Sequence, residues 1–330
     1  MKLALVPLAL LFAGLATGPT LGAATLKVPG DHATISAAVA ACANGDTIVI
    51  SKGTYGPFVV SGKTGVTIRG KGKVVIDAAG HPIGVEAYQS PGAVIDGLRV
   101  VDAESGIVAS HSDGVTIARC RVFDAAATAI VVVHCDDAVV RDNRVRDAQW
   151  SGVWASSGDG VFVRGNHVRG GFQGIGMTDV TGVFLENELR DVQEEAILVG
   201  PASPVSVLGN RIRGGRVGVR VVSGTASVTV AGNRVTKPKG EGVFVEAAGT
   251  HLIDNRVKRS ILAGLRLSAA GAFVAGNVVR RGATVGVLVE AIDGTYVGNS
   301  ARKCGQFDLE SNVGMNGNFW FENDFATVAP

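Results

Sequence analysis

Apolar and polar residues alternate with period two over short runs, and the alternation restarts at a fixed interval. Val161-Phe162-Val163, Asn166-His167-Val168-Arg169 and Gly174-Ile175-Gly176-Met177 are three such runs in one unit, separated by glycine-containing turns. Period two places alternate side chains on opposite faces of a strand, so each unit predicts three short strands. Val140-Arg141-Asp142-Asn143-Arg144-Val145-Arg146 recurs as Val163-Arg164-Gly165-Asn166-His167-Val168-Arg169, as Leu208-Gly209-Asn210-Arg211-Ile212-Arg213 and as Ala231-Gly232-Asn233-Arg234-Val235. The asparagines fall at 143, 166, 187, 210, 233, 255, 277 and 299, in steps of 21 to 23 residues. A fixed period in this range predicts a solenoid.

The third run of each unit supplies the inward pairs. They are Ile107/Ala109, Ile130/Val132, Val153/Ala155, Ile175/Met177, Ile197/Val199, Val219/Val221, Val243/Val245, Leu265/Leu267 and Val287/Val289. Stacked, they bury a continuous core that no single unit could form. The repeat predicts eleven to twelve coils at ~4.8 Å each, a rod of about 50 Å. Asparagine tolerates left-handed turns, and stacked amides can bond the rungs above and below, so its column reads as scaffold.

The ends depart from the repeat. Residues 25–60 read as an N-terminal cap and first coil, with a short Ala-rich helix from Ser36 to Ala43 ended by Asn44-Gly45. The aromatic-rich tail, 312–330, reads as a C-terminal cap over an otherwise open edge. Before residue 25, Lys2, the apolar run Leu3 to Leu15 and the small residues Gly22-Ala23-Ala24 predict a signal peptide over 1–24. That run is short for a membrane span, and later apolar runs are broken by Arg, Asp or Gly. The expectation is a periplasmic or secreted protein with no transmembrane segment after signal cleavage.

Composition adds little to the fold and something to the function. The chain of 330 residues has 46 glycines and only 5% aromatics, which suits tight turns and short strands. A net charge of +2 implies no polyanion partner by itself; the distribution matters more. Cys42, Cys120, Cys135 and Cys304 lack a dense framework spacing and are expected to be mostly free.

Val28-Pro29-Gly30-Asp31, the Ala-rich helix, Gly45-Asp46-Thr47-Ile48 and Gly53-Thr54-Tyr55 resemble the opening segment of the pectin-lyase-like superfamily. The later repeats resemble the NosD-like, carbohydrate-binding-and-sugar-hydrolase type. The resemblance spans almost the whole mature chain. It implies an all-β, single-stranded, right-handed parallel β-helix, with a substrate cleft on the outer face of the third strands. It also implies either a polysaccharide lyase, epimerase or hydrolase, or a non-catalytic NosD-like accessory protein that binds a metal or polyanion.

Three constellations could carry chemistry. The outer face of the third strands gathers Glu86, Tyr88, Trp154, Arg220, Phe244, Glu246, Arg266, Glu290, Asp308 and Glu310, with Val131, Val133, Leu198 and Leu288 among them. Arg220, Arg266, Glu246 and Glu290 are the candidate catalytic groups, as charge stabilisers and acid or base; Tyr88, Trp154 and Phe244 are candidate sugar-stacking rings. The alternative is an ordinary solvated sheet face, and the uniform coil length provides no long loop to wall off a cleft.

A basic stripe follows the asparagines at one residue (Arg144, Arg211, Arg234, Arg256) and at three (Arg146, Arg169, Arg190, Arg213, Lys258, Arg280, Arg302). In the next column Asp102, Asp124, Asp147 and Asp191 are expected to compensate it, giving way to Lys237, Arg259, Arg281 and Lys303. Arg213, Lys237, Arg259 and Arg281 are therefore candidate contacts to an acidic polysaccharide, the alternative being a solvated surface. Nucleic acid is disfavoured because no aromatics are interleaved for base stacking.

His111 and His134 occupy the same turn in successive repeats, with Asp113, Asp136 and Cys135 nearby. His111, His134, Asp113 and Asp136 form a candidate site for a divalent metal such as copper, zinc or calcium, or else two polar turns facing water. The superfamily's mannuronan epimerases use Asp-Pro-His-Asp, of which Ser110-His111-Ser112-Asp113 keeps only the histidine and last aspartate. The oligomeric state stays open.

Overall fold

A computed structural model describes residues 22–201, 204–313 and 317–329. Most of the expected signal peptide, residues 1–21, lies outside them. The described chain winds into a parallel β-solenoid of about 13 turns of about 22 residues, slightly longer than the repeat count predicted. Every recorded strand pair is parallel. Each turn contributes one strand to each of three faces. One turn supplies Thr116–Ala118 to the first sheet, Arg121–Phe123 to the second and Ile130–Val133 to the third. Two later strands, Ser151–Arg164 and Gln173–Leu185, run unbroken around the corner from third sheet to first.

The predicted inward pairs of the third sheet are all buried and stack in register, Ile107 on Ile130 on Val153 on Ile175 and so on to Val287. Each face thus buries a column of Val, Ile or Leu, and the three columns meet as one continuous core. The asparagine column runs up the inside. The Nδ2 of Asn210 donates to Phe184 O at 3.1 Å and to Asn233 Oδ1 at 2.9 Å, while its own Oδ1 accepts from Asn187 N at 2.8 Å and Asn187 Nδ2 at 3.0 Å. The same pattern continues from Asn143 to Asn323.

The column three residues beyond each second-sheet strand's start is set by backbone shape. Asp102, Asp124, Asp147, Asp191, Lys237, Arg259, Arg281 and Lys303 all have φ between 55° and 61°. Of the four aspartates expected to neutralise the stripe, only Asp191 forms an ion pair among the described residues, with Arg169 at 3.4 Å. A short polar side chain that tolerates the left-handed region explains the aspartates better than charge compensation does.

The N-terminal helix spans Ile35–Ala41, starting one residue earlier and ending two earlier than predicted. Thr34 caps it by accepting from Ala37 N, and Ile35, Ala38 and Val39 are buried against the first coil. At the other end Phe319–Phe321 and Asp324–Phe325 add a further turn, with Trp320 stacked on Tyr296 at 4.2 Å. Asp308, expected outward, is buried; its carboxylate accepts from Cys304 N and Thr327 N. The four cysteines are free, and burial pushes the Cys120 thiol up to about 12.

Candidate active site on the third sheet

Third-sheet residues at alternate positions point outward because their neighbours are locked into the core. The register therefore stacks Trp154, Gly176, Leu198, Arg220, Phe244, Arg266 and Leu288 in one outer column. Arg220, Glu246, Arg266 and Glu290 come together. Arg220 Nε lies 2.8 Å from Glu246 Oε2, and Arg266 Nε lies 2.9 Å from Glu290 Oε2. Ser268 donates to Glu290 at 2.5 Å.

Behind these pairs lie two carboxylates that sequence reasoning missed. Glu195 is buried, 3.3 Å from Arg220 Nη1 and 3.1 Å from Arg216 Nη2, and accepts from Gln173 Nε2 at 3.2 Å. Glu241 is buried 3.4 Å from Arg266 Nη1, and its second oxygen has no hydrogen-bond partner among the described residues. Arg216 also pairs with Glu194. The missed signal was positional: Glu195 opens its strand opposite the apolar Val217, and Glu241 lies two residues before the strand Val243–Val245.

The charges hold one another. Hydrogen bonds donated to Glu246, Glu290 and Glu194 raise the already high pKa values of Arg220, Arg266 and Arg216, against burial. Burial favours the neutral form of Glu290, but the hydrogen bonds and charge of Arg266, with Ser268, outweigh it and hold the carboxyl below its ordinary range. Arg220 and Arg266 keep 30% and 34% of their side chains exposed, and Glu246 and Glu290 26% and 25%, so all four are open to solvent.

The expected stacking rings behave differently from one another. Phe244 stands between Arg220 and Arg266, whose guanidinium carbons lie 5.5 and 4.6 Å from its centroid. Both ring faces are taken by cations from the rungs on either side, so only an edge points outward. Trp154 instead lies across Gly176: a methyl there would approach the indole to 2.5 Å. Tyr88, 37% exposed, sits edge-on to His111 at 5.9 Å, several turns from the arginines.

The second sheet presents the basic stripe. Arg169 pairs with Asp191, and Arg190 and His167 with Glu188. From Arg211 onward this changes. Among the described residues, Arg211, Arg213, Arg234, Arg256, Lys258 and Arg280 have no ion pair and no side-chain hydrogen bond; nor do the turn cations Lys237, Arg259 and Arg281. Only at Arg302 does a carboxylate return, Asp324 at 2.5 Å.

The metal candidates do not assemble. His111 and His134 stack on each other, centroids 4.8 Å apart and planes 20° apart. Asp113 instead accepts from Asp136 N and Asp136 from Asp159 N. Cys135 is buried, its sulfur accepting from Ser112 N. Among the described residues no group of three or more His, Cys, Asp and Glu side chains could hold a metal ion.

Comparison with known proteins places the fold. The sequence matches the family described as "Right handed beta helix region" over residues 44–188 and 83–235, together more than half of the chain. The chain belongs to this right-handed β-helix family. Its winding is therefore the hand expected for parallel crossovers. No curated protein matches this β-helix chain in sequence. Among solved structures it is similar to the catalytic unit of the thermostable GH87 alpha-1,3-glucanase from Streptomyces thermodiastaticus, with TM-score 0.68, 16% identity, and coverage of 96% of this chain and 71% of that one. It is also similar to the periplasmic alginate epimerase AlgG, with TM-score 0.64, 12% identity, and coverage of 87% and 77%. A third is PfbA, a surface adhesin of Streptococcus pneumoniae, with TM-score 0.67, 12% identity, and coverage of 86% and 88%. At such identities the likeness is one of fold. No helix among the described residues is long and apolar enough to cross a membrane.

Proposed function

We propose that this β-helix protein is exported and acts on a polysaccharide, best an acidic one, along the outer face of its third sheet. The observation that carries the reading is the convergence of Arg220–Glu246 and Arg266–Glu290 into one partly exposed ladder backed by Glu195 and Glu241. A guanidinium on this face can exchange its carboxylate for that of a uronate unit, because both present the same two-oxygen geometry. The released Glu246 or Glu290 then accepts a proton or a hydroxyl hydrogen bond from the same sugar. Trp154 offers a ring to a neighbouring sugar. Polysaccharide-acting enzymes and an adhesin among the structural neighbours fit this use of the fold.

The test is product release from polygalacturonate, alginate and an α-glucan, together with proton exchange at the uronate C5 read by NMR. We expect turnover of one polymer, lost in Arg220→Ala and in Arg266→Ala while the fold is kept. The catalytic reading fails if no polymer is changed. The open, unwalled face and the saturated arginines favour a second reading, a purely binding role, in which polymer binds without product and Trp154→Ala weakens it.

A further inference from the structure

We infer that the second sheet, between Glu188 and Asp324, is a separate binding track for an acidic polysaccharide carrying a carboxylate on successive sugars. This face is distinct from the third-sheet ladder and does not depend on the reading given to that ladder.

The strand register fixes the arrangement. Arg211 stacks on Arg234 and Arg234 on Arg256, while Arg213 leads through Thr236 and Lys258 to Arg280. Four successive rungs at ~4.8 Å give a line of charge about 14 Å long. Like charges facing each other across a parallel sheet repel, so an unpaired line of this kind costs stability unless a counter-charge arrives. The fold has carboxylates to give where it uses them: Glu188 and Asp191 neutralise the rungs before the line, and Asp324 the rung after it. The cations between are left with open donors. The turn residues Lys237 and Arg259 extend the positive rim on one side.

The shape suits a polymer. A shallow groove of about 330 Å³ runs between Arg234, Arg256, Lys258 and Arg280, and a second of about 390 Å³ adjoins it around Arg211, Arg213 and Lys237. Neither is closed, so a small anion would gain little burial there. A chain bridging several rungs gains one charge-assisted bond per rung and releases the counter-ions held by the line. A rung repeat close to the length of one sugar lets successive carboxylates meet successive arginines in phase. Single-stranded nucleic acid would demand rings for its bases, and the outward positions from Arg211 to Arg302 hold Thr236, Val278 and Ser300 but no aromatic.

The experiment measures binding of fluorescent polygalacturonate oligomers to the full chain by anisotropy, with dextran and single-stranded DNA of equal charge as comparators. The triple variant Arg234→Glu/Arg256→Glu/Lys258→Glu alters only solvent-facing side chains, and circular dichroism confirms its fold. Polygalacturonate should bind in a salt-dependent manner and dextran should not. The triple variant should weaken binding on the order of tenfold or more and flatten its salt dependence. Lys71→Glu, near the opposite end of the rod, should leave both unchanged. Unaltered affinity in the triple variant overturns the track. DNA binding as tightly as polygalacturonate overturns the assignment of its ligand. Binding that fails in the triple variant, with no polymer changed by the unaltered protein, would count against the third-sheet reading alone.

Discussion

Asn210 occupies the centre of a four-bond knot: two donated, two accepted, all buried. Replacing it with alanine leaves the Asn187 main-chain N–H without its acceptor, takes one of two acceptors from Asn187 Nδ2 and removes the donor to Phe184 O, all away from water. Asn210→Ala should therefore destabilise the protein by about 2–4 kcal/mol in urea unfolding. Asn210→Asp should cost still more, because a carboxylate can accept but not donate and buries a charge. Gly176 makes the opposite kind of demand. A methyl there meets the Trp154 ring at 2.5 Å, so Gly176→Ala should tip the indole off the sheet, shift its fluorescence and reduce any sugar binding that depends on it.

At the scale of the element, the charged ladder of the third sheet links stability to pH. The folded-state pKa of Glu290 is depressed, so its contribution is fully present above the ordinary carboxylate range and is lost as pH falls through the folded value. Unfolding free energy should decline on acidification below that range, and Glu290→Gln should flatten part of the decline. A slope unchanged in Glu290→Gln would show that the Arg266 pair is energetically silent. The turns make a second prediction. Lys237 holds φ 55° at a position that favours glycine, so Lys237→Gly should stabilise by up to about 1 kcal/mol while removing a cation from the track rim. Periodicity made the inward columns readable because every rung repeats one alternation, and burial follows alternation closely. It made Glu195 and Glu241 unreadable because they stand where the chain enters the strand, at a column that elsewhere holds Val217, Ala263 and Val285. It also misread Asp102, Asp124 and Asp147 as counter-charges, since a left-handed turn and a salt bridge select the same residue.

As a whole the molecule is one-dimensional, each turn touching only its neighbours, so its stability is close to a sum over rungs and rung interfaces. Removing residues 234–255 joins Asn233 directly to Arg256 and restores the Asn-Arg-Val sequence in register. That deletion should give a folded, parallel-β rod shorter by ~4.8 Å, whereas a deletion of half that length should misalign every later column and fail to fold. Small-angle scattering and circular dichroism separate the two outcomes.

The asparagine file also makes the rod a reporter of its own fraying. The main-chain N–H of each asparagine is bonded to the side chain of the next turn, as from Asn233 to Asn255 and from Asn255 to Asn277. None of these hydrogens can exchange with deuterium until two adjacent turns part. Their exchange times, read along the file from Asn143 to Asn299, therefore trace how far unzipping from either end penetrates before the molecule opens altogether.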